Sequence, residues 1–319
     1  LLAAFASSAV AQVDAESEQP PDDRKESAAG HGSISIDYFN NYANDLLLRS
    51  NLKASSVIHK DFGAVHIQGT GLDVAYNLSD DWTLSGGIRY FTGRYSGPAV
   101  NCPTTAPPQC AHAPVVTPPK PDAPFIDDGK YHGAWQDWHV GAAWHTNIGS
   151  YFITPSVTAY IPTHSYPTYG NAYVGQDLHQ LLVGAQLQHQ FELTNFGYSV
   201  GWYYAWSQHV LGINTGYERA DAELDWFVSE KFKVNAFLTG REGFGIRAKT
   251  VLPAPGSPVG INWYERERLV QHNYHAVGTG FGYDLNDRYS VSASVQHEFW
   301  GDSVYDFKYA LEAYITRSF

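Results

Sequence analysis

The sequence predicts an all-β fold: a transmembrane antiparallel β-barrel of about twelve strands, of the bacterial outer-membrane type. Three observations lead there. Apolar and polar residues alternate with period two along nearly the whole chain, and no long segment has the i, i+3, i+4 apolar spacing of an amphipathic helix. The alternating segments come in pairs whose connectors are short and long by turns, as a barrel with tight turns at one rim and loops at the other requires. Trp and Tyr crowd the strand ends, where a membrane barrel carries its aromatic girdles.

The chain of 319 residues is 44% hydrophobic and 15% aromatic, enough for one large domain. No stretch approaches the roughly 18 uninterrupted apolar residues of a membrane-spanning helix. A barrel escapes that test, because its strands alternate lipid-facing apolar residues with lumen-facing polar ones. The net charge of −12 argues against a nucleic-acid binder, which would carry basic patches, so no nucleic-acid partner is expected.

In chain order, Leu1-Leu2-Ala3-Ala4-Phe5-Ala6 and then Ala9-Val10-Ala11 before Gln12 read as the end of a signal peptide with an A-x-A cleavage site, assigning residues 1–11 to its remnant. The chain contains no Met, so the charged start of that peptide is expected upstream of Leu1. Residues 12–30 hold too little apolar surface to fold and read as a flexible periplasmic tether. The barrel is assigned to 31–319.

Strands are expected near 33–43, 65–78, 82–95, 134–146, 150–162, 179–193, 196–209, 215–228, 231–242, 272–285, 288–300 and 305–319. Tight turns fall near Ser79-Asp80-Asp81, Asn147-Ile148-Gly149, Thr194-Asn195, Ser229-Glu230 and Asn286-Asp287, all with turn-favouring residues. The outer connectors are placed at 44–64, 96–133, 163–178, 210–214, 243–271 and 301–304. That count leaves both termini at the turn rim, on the periplasmic side. Proline supplies an independent check, since it cannot donate to a sheet ladder. Nine of the seventeen prolines lie between Pro98 and Pro124, and Pro155 is the clear exception inside a strand.

The last strand sets the register of the faces: Phe307, Tyr309, Leu311, Ala313, Ile315 and Phe319 share one side, expected to meet lipid, with Asp306, Lys308, Glu312 and Tyr314 on the other. Phe196, Tyr198, Val200, Trp202, Tyr204 and Trp206 form a second outward row. The same alternation makes Asp73, Arg89, Asp137, His139, Glu298 and Glu312 lumen-lining. It also turns Arg219, Asp221, Glu223 and Asp225 inward, with Lys233 and Arg241 on the adjacent strand as their cross-strand partners.

From Trp135 onward the chain resembles the outer-membrane barrels of the meta-pathway phenol-degradation family. The resemblance lies in Trp135-Gln136-Asp137-Trp138-His139-Val140-Gly141, in Ile161-Pro162-Thr163 ending the next strand, and in Gln180-Leu181-Leu182-Val183-Gly184 after a Gly-containing loop. It implies an outer-membrane channel for passive uptake of small, often aromatic or hydrophobic, solutes. Phe319 resembles the terminal signal read by the barrel-assembly machinery. The partners so implied are outer-membrane lipid, that machinery and a small-molecule solute; no cofactor is expected.

Several residues invite other chemistry. Asp137 and His139 point the same way, so the carboxylate could orient the imidazole for acid–base work. His164-Ser165 lies near the outer rim, where a lipid hydrolase would need its nucleophile, although adjacent strand residues face opposite ways. The acidic tether could dock a periplasmic protein, making the barrel a structural or assembly partner. His272-x-x-His275 is the one loose metal-ligand spacing among fourteen scattered histidines, and no metal site is expected. Gly278-Thr279-Gly280-Phe281-Gly282 precedes no helix and reads as room for a neighbouring aromatic rather than a phosphate cradle. Cys102 and Cys110, in one proline-rich loop of an exported chain, are expected to form a local disulfide.

Overall fold

A sheet whose strands are apolar on one face and polar on the other has two liabilities, an apolar face in contact with water and two unpaired edges. The computed structural model, which describes residues 28–49, 56–97, 126–168, 170–247, 265–302 and 304–319, removes the second by closing the sheet on itself. Strands β1 (Gly32–Arg49), β2 (Ser56–Asn77) and β3 (Trp82–Ser96) begin an antiparallel meander. Three short segments follow: β4 (His132–Trp135), β5 (Asp137–Trp144) and β6 (Thr146–Ile148). β4 and β5 pair with β3, and β5 and β6 with β7 (Tyr151–Pro162), so the three form one interrupted stave. The meander continues through β8 (Gln180–Gln190), β9 (Phe196–Ser207), β10 (Tyr217–Ser229) and β11 (Phe232–Gly243). It ends with β12 (Asn273–Asn286), β13 (Tyr289–Asp302) and β14 (Val304–Ser318), and β14 pairs with β1 to close a barrel of twelve staves.

Every expected strand is present, and the expected turns carry the chain between staves. Pro155 sits within β7 opposite Ala185, so the ladder tolerates it there. Two expected connectors are wrong. Residues 44–64 were to form an outer loop, yet β1 and β2 stay paired as far as Arg49 and Ser56. Residues 301–304 were to form another, but β13 runs to Asp302 and β14 starts at Val304. Alternation had weakened in both places, and continued backbone pairing does not need it.

The outer face carries a broad apolar belt: Ile36, Val140, Trp202, Trp206, Leu224 and Leu238 are each more than half exposed. Such a continuous exposed belt is foreign to a water-soluble monomer and normal for a wall facing lipid. β9 follows the expected alternation, with Phe196, Val200, Trp202 and Trp206 exposed and Gly197, Ser199, Tyr203 and Ala205 buried. β14 does not follow it to its start. Tyr42 pairs with Tyr309 but Ala43 with Phe307, so Lys308 is an extra, bulged residue. The bulge reverses the faces before it: Phe307 is only 1% exposed, inside the barrel, and Lys308 is turned out.

Candidate functional site

The interior is filled in two zones. Toward the loop rim, inward apolar residues of the wall form one cluster: Phe39, Val65, Ile67, Phe91, Tyr95, Tyr274, Tyr305 and Phe307. Phe39 meets Phe91 edge-on with centroids 5.6 Å apart, and Tyr274 meets Phe307 in the same way at 5.7 Å. The centre of the cluster is supplied by a connector. The chain between β7 and β8 turns into the barrel, burying Tyr166, Ala172, Tyr173 and Val174 against these rings. Its sequence, Tyr166-Pro167-Thr168-Tyr169-Gly170-Asn171-Ala172-Tyr173-Val174, is as apolar as a strand, which is why it seeks the interior.

This inward loop is fastened by polar contacts. Asp127 accepts the backbone N–H groups of Asn171 at 2.8 Å and Ala172 at 3.0 Å, and the Asn171 amide at 2.8 Å. Tyr305 donates its hydroxyl to Asn171 Oδ1. Tyr166 donates to Asp137 at 2.8 Å and accepts the Asp177 N–H at 3.0 Å. A single helical turn, α1 (Arg266–Leu269), caps the loop: Arg268 donates to the carbonyls of Gln176 and Asp177, and Gln176 donates to the Glu267 carbonyl. Burial pushes the Tyr166 hydroxyl well above its ordinary pKa, helped by the Asp137 carboxylate it contacts. Burial also raises Asp177, against the pull of Arg268.

Below the loop lies an ionic network. Arg89 reaches Asp37 at 2.9 Å and Asp73 at 2.8 Å, all three buried. His139 Nε2 approaches the other oxygen of Asp73 at 2.8 Å. Glycine makes the space for it. A Cβ on Gly71 would lie 2.1 Å from Asp37 Oδ1, and one on Gly87 would lie 2.4 Å from Asp73 and 2.5 Å from His139. Gly278 makes room in the same way for the Phe237 ring, 2.2 Å from its would-be Cβ. A cavity of about 20 Å³ separates network and loop, lined by Arg89, Gln136, Asp137, His139, Tyr160, Gly175, Gln176 and Gln180. That is room for water, far below the volume an organic solute needs.

Farther round the wall, Arg219 pairs with Asp221 at 2.8 Å and Lys233 with Asp225 at 3.4 Å, while Glu223 accepts the Asn235 amide at 2.7 Å. Glu223, Asp225 and Lys233 are only partly buried, so the turn half of the interior is wetter than the loop half. Glu298 and Glu312 are buried on β13 and β14; Glu298 accepts the Phe307 N–H and Glu312 the Tyr314 hydroxyl.

The expected partnership of Arg241 with the acidic row is replaced by another, and neither of the two alternative pairings, Asp137 with His139 and His164 with Ser165, forms. Asp137 does not orient His139; Tyr166 takes Asp137, and Asp73 stands against the imidazole. Arg241 does not join the acidic row but lies over the Tyr217 ring, 3.7 Å from its centroid. His164 contacts the Thr163 hydroxyl and Ser165 donates to Asp177, so the two do not cooperate. His272 is buried, whereas His275 lies near the outer face beside Glu242 and Trp300. Phe319 is half exposed, its backbone paired with Gly32 where the barrel closes. Cys102 and Cys110 lie outside the described residues, as do the signal remnant and nearly all of the tether. Sequence reasoning missed Asp127, Asn171 and Tyr305, which fasten the loop; Asn171 beside Gly170 was the sole local hint.

No family model and no curated protein matches the chain. Among solved structures it is similar to an outer membrane channel from Pseudomonas putida F1, with TM-score 0.63, 11% identity, and coverage of 95% of this chain and 100% of that one. Weaker likenesses include the NanC porin, with TM-score 0.47, 7% identity and coverage of 89% and 98%, and the CymD monoaromatic hydrocarbon channel, with TM-score 0.45, 10% identity and coverage of 91% and 88%. At 11% identity the first likeness establishes the shared barrel fold, and the weaker two add nothing to it.

Proposed function

We propose that this barrel is a channel of the bacterial outer membrane that passes small solutes passively and is held shut, in the conformation described, by the inward loop between β7 and β8. The observation carrying this reading is the contrast between wall and plug. The wall is a closed ladder of twelve staves with an apolar outer belt, whereas the plug is a connector attached through side-chain hydrogen bonds centred on Asp127, Tyr166 and Arg268. A closed ladder opens only by global unfolding; a loop fastened in this way opens locally at a few kcal/mol. Similarity to a barrel known as an outer membrane channel supports the reading.

The lumen-lining set is then Asp73, Arg89, Asp137, His139, Arg219, Asp221, Glu223, Asp225, Lys233, Arg241, Glu298 and Glu312, with both termini periplasmic and Phe319 presented to the assembly machinery. The aromatic cluster around the plug, with Phe39, Phe91, Tyr274 and Tyr305, favours solutes with an apolar or aromatic body. Single-channel recording of the purified barrel in planar bilayers should show conductance steps, and proteoliposomes should admit small aromatics. A barrel silent at high voltage and impermeable to such solutes would overturn the reading. A surface hydrolase is disfavoured because His164, Ser165, Asp137 and His139 each take other partners, in Thr163, Asp177, Tyr166 and Asp73.

A further inference from the structure

Of the three inward cations on β10 and β11, Arg219 and Lys233 each meet a carboxylate, whereas Arg241 meets none among the described residues. Arg219 and Arg241 stand opposite each other in the pairing of these strands, and each is 3% exposed. Arg219 has Asp221 at 2.8 Å, and the other oxygen of that carboxylate accepts the Thr239 hydroxyl at 2.7 Å. Asp221 is therefore engaged on both oxygens. Glu242, the next residue after Arg241, faces the other way, with its side chain 53% exposed toward His275. Among the described residues no carboxylate lies within ion-pair distance of Arg241, and its Nε is buried without a hydrogen-bond partner.

A guanidinium cannot shed its charge by losing a proton, and it presents five N–H donors in its own plane. Tyr217 beneath that plane attracts the charge through its ring face. The ring accepts none of the in-plane donors. Buried cations are ordinarily met by an anion, because an unpaired one keeps the full desolvation cost. We propose that Arg241 is the seat of a singly charged anion entering from the lumen, bound in the guanidinium plane, with Tyr217 as its floor and the second cation, Arg219, adding its field. The seat deepens the channel reading, since the anion arrives through the lumen, but binding can be measured without conduction. The shared ligand chemistry is one negative charge on a compact acceptor, which either chloride or the carboxylate of a small organic acid supplies.

The test titrates sodium chloride and sodium benzoate separately into the purified barrel by calorimetry at constant ionic strength. It is repeated with Arg241→Gln, which removes the charge, and Arg241→Lys, which keeps it. Saturable binding is expected in the wild type, at least tenfold weaker in Arg241→Gln and partly retained in Arg241→Lys. Saturation by chloride alone marks a halide seat, and by benzoate alone a carboxylate seat. Binding of neither ligand, or equal binding by wild type and Arg241→Gln, overturns the proposal and leaves water on the guanidinium. Crystals of the wild type soaked in bromide give a check that does not depend on a variant folding: an anomalous peak against Arg241 supports the seat, and its absence refutes a halide seat. A barrel that binds the anion at Arg241 yet stays silent in bilayers and admits no solute into proteoliposomes would sink the channel reading and leave this one standing.

Discussion

Replacing Arg89 by Met tests the account of the interior directly. Arg89 is the one cation between Asp37 and Asp73, at 2.9 and 2.8 Å, and its side chain is 5% exposed. Removing one member of a buried ion pair costs about 3–5 kcal/mol, because the charge left behind keeps its desolvation penalty without the attraction. Here two acids are left behind, but His139 Nε2 at 2.8 Å can still serve Asp73, whereas among the described residues Asp37 has no ion-pair partner besides Arg89. One bare carboxylate remains, so the expected loss is near the lower end of that range, about 3 kcal/mol. The companion variant Arg89→Met with Asp37→Asn and Asp73→Asn removes all three charges at nearly constant shape. It should regain roughly 2 kcal/mol of the loss, since interacting groups are not additive. The assay is urea unfolding of the barrel in lipid vesicles, followed by Trp fluorescence. A single variant within about 1 kcal/mol of wild type, or a triple variant as unstable as the single, would refute the claim that unpaired buried charge sets the cost.

Three further outcomes are expected. Asp127→Ala deletes the acceptor of two backbone N–H groups and one amide in the plug; each orphaned buried donor costs about 1–3 kcal/mol, so open events in bilayer recordings should become more frequent, and an unchanged open probability would show that the plug is held otherwise. Leu211 has φ 51 beside Gly212 at φ 79 in the turn between β9 and β10, a left-handed conformation that costs an ordinary side chain about 1–2 kcal/mol and suits Asn; Leu211→Asn should raise the urea midpoint, and a lowered midpoint would sink the strain argument. Cys102 and Cys110 should resist alkylation in aerobically purified native protein and react after reduction; two thiols labelled without reductant would remove the disulfide.

The wall was legible in the sequence because its information is local. A strand displays its two faces at alternate residues, and lipid and lumen differ so much in polarity that the alternation marks both the strand and its direction. That is why Ile36 against Asp37 or Leu224 against Asp225 can be read without a partner in sight. The reading failed at Phe307, where Lys308 bulges: a bulge changes which residues oppose each other, and only the partner strand β1 records it. It failed again at 44–64, where strand pairing outlasts alternation because the backbone needs none.

What the sequence by itself determined is therefore the number of strands, their approximate limits and which face of each meets lipid, except at the bulged start of β14. Partner choice inside the barrel was decided by tertiary structure alone. Arg89 meets Asp37 across 52 residues of chain, and Tyr305 meets Asn171 across 134. Such pairs depend on barrel stagger and on glycines such as Gly71 and Gly87 that open a seat for them, not on spacing along one strand. The plug has the same origin. The stretch around Tyr173 is apolar enough for a wall or an interior, and it lies inside because Asp127, Tyr305 and α1 meet it there. Period two tells a side chain which way to face, and only the closed barrel determines what it finds.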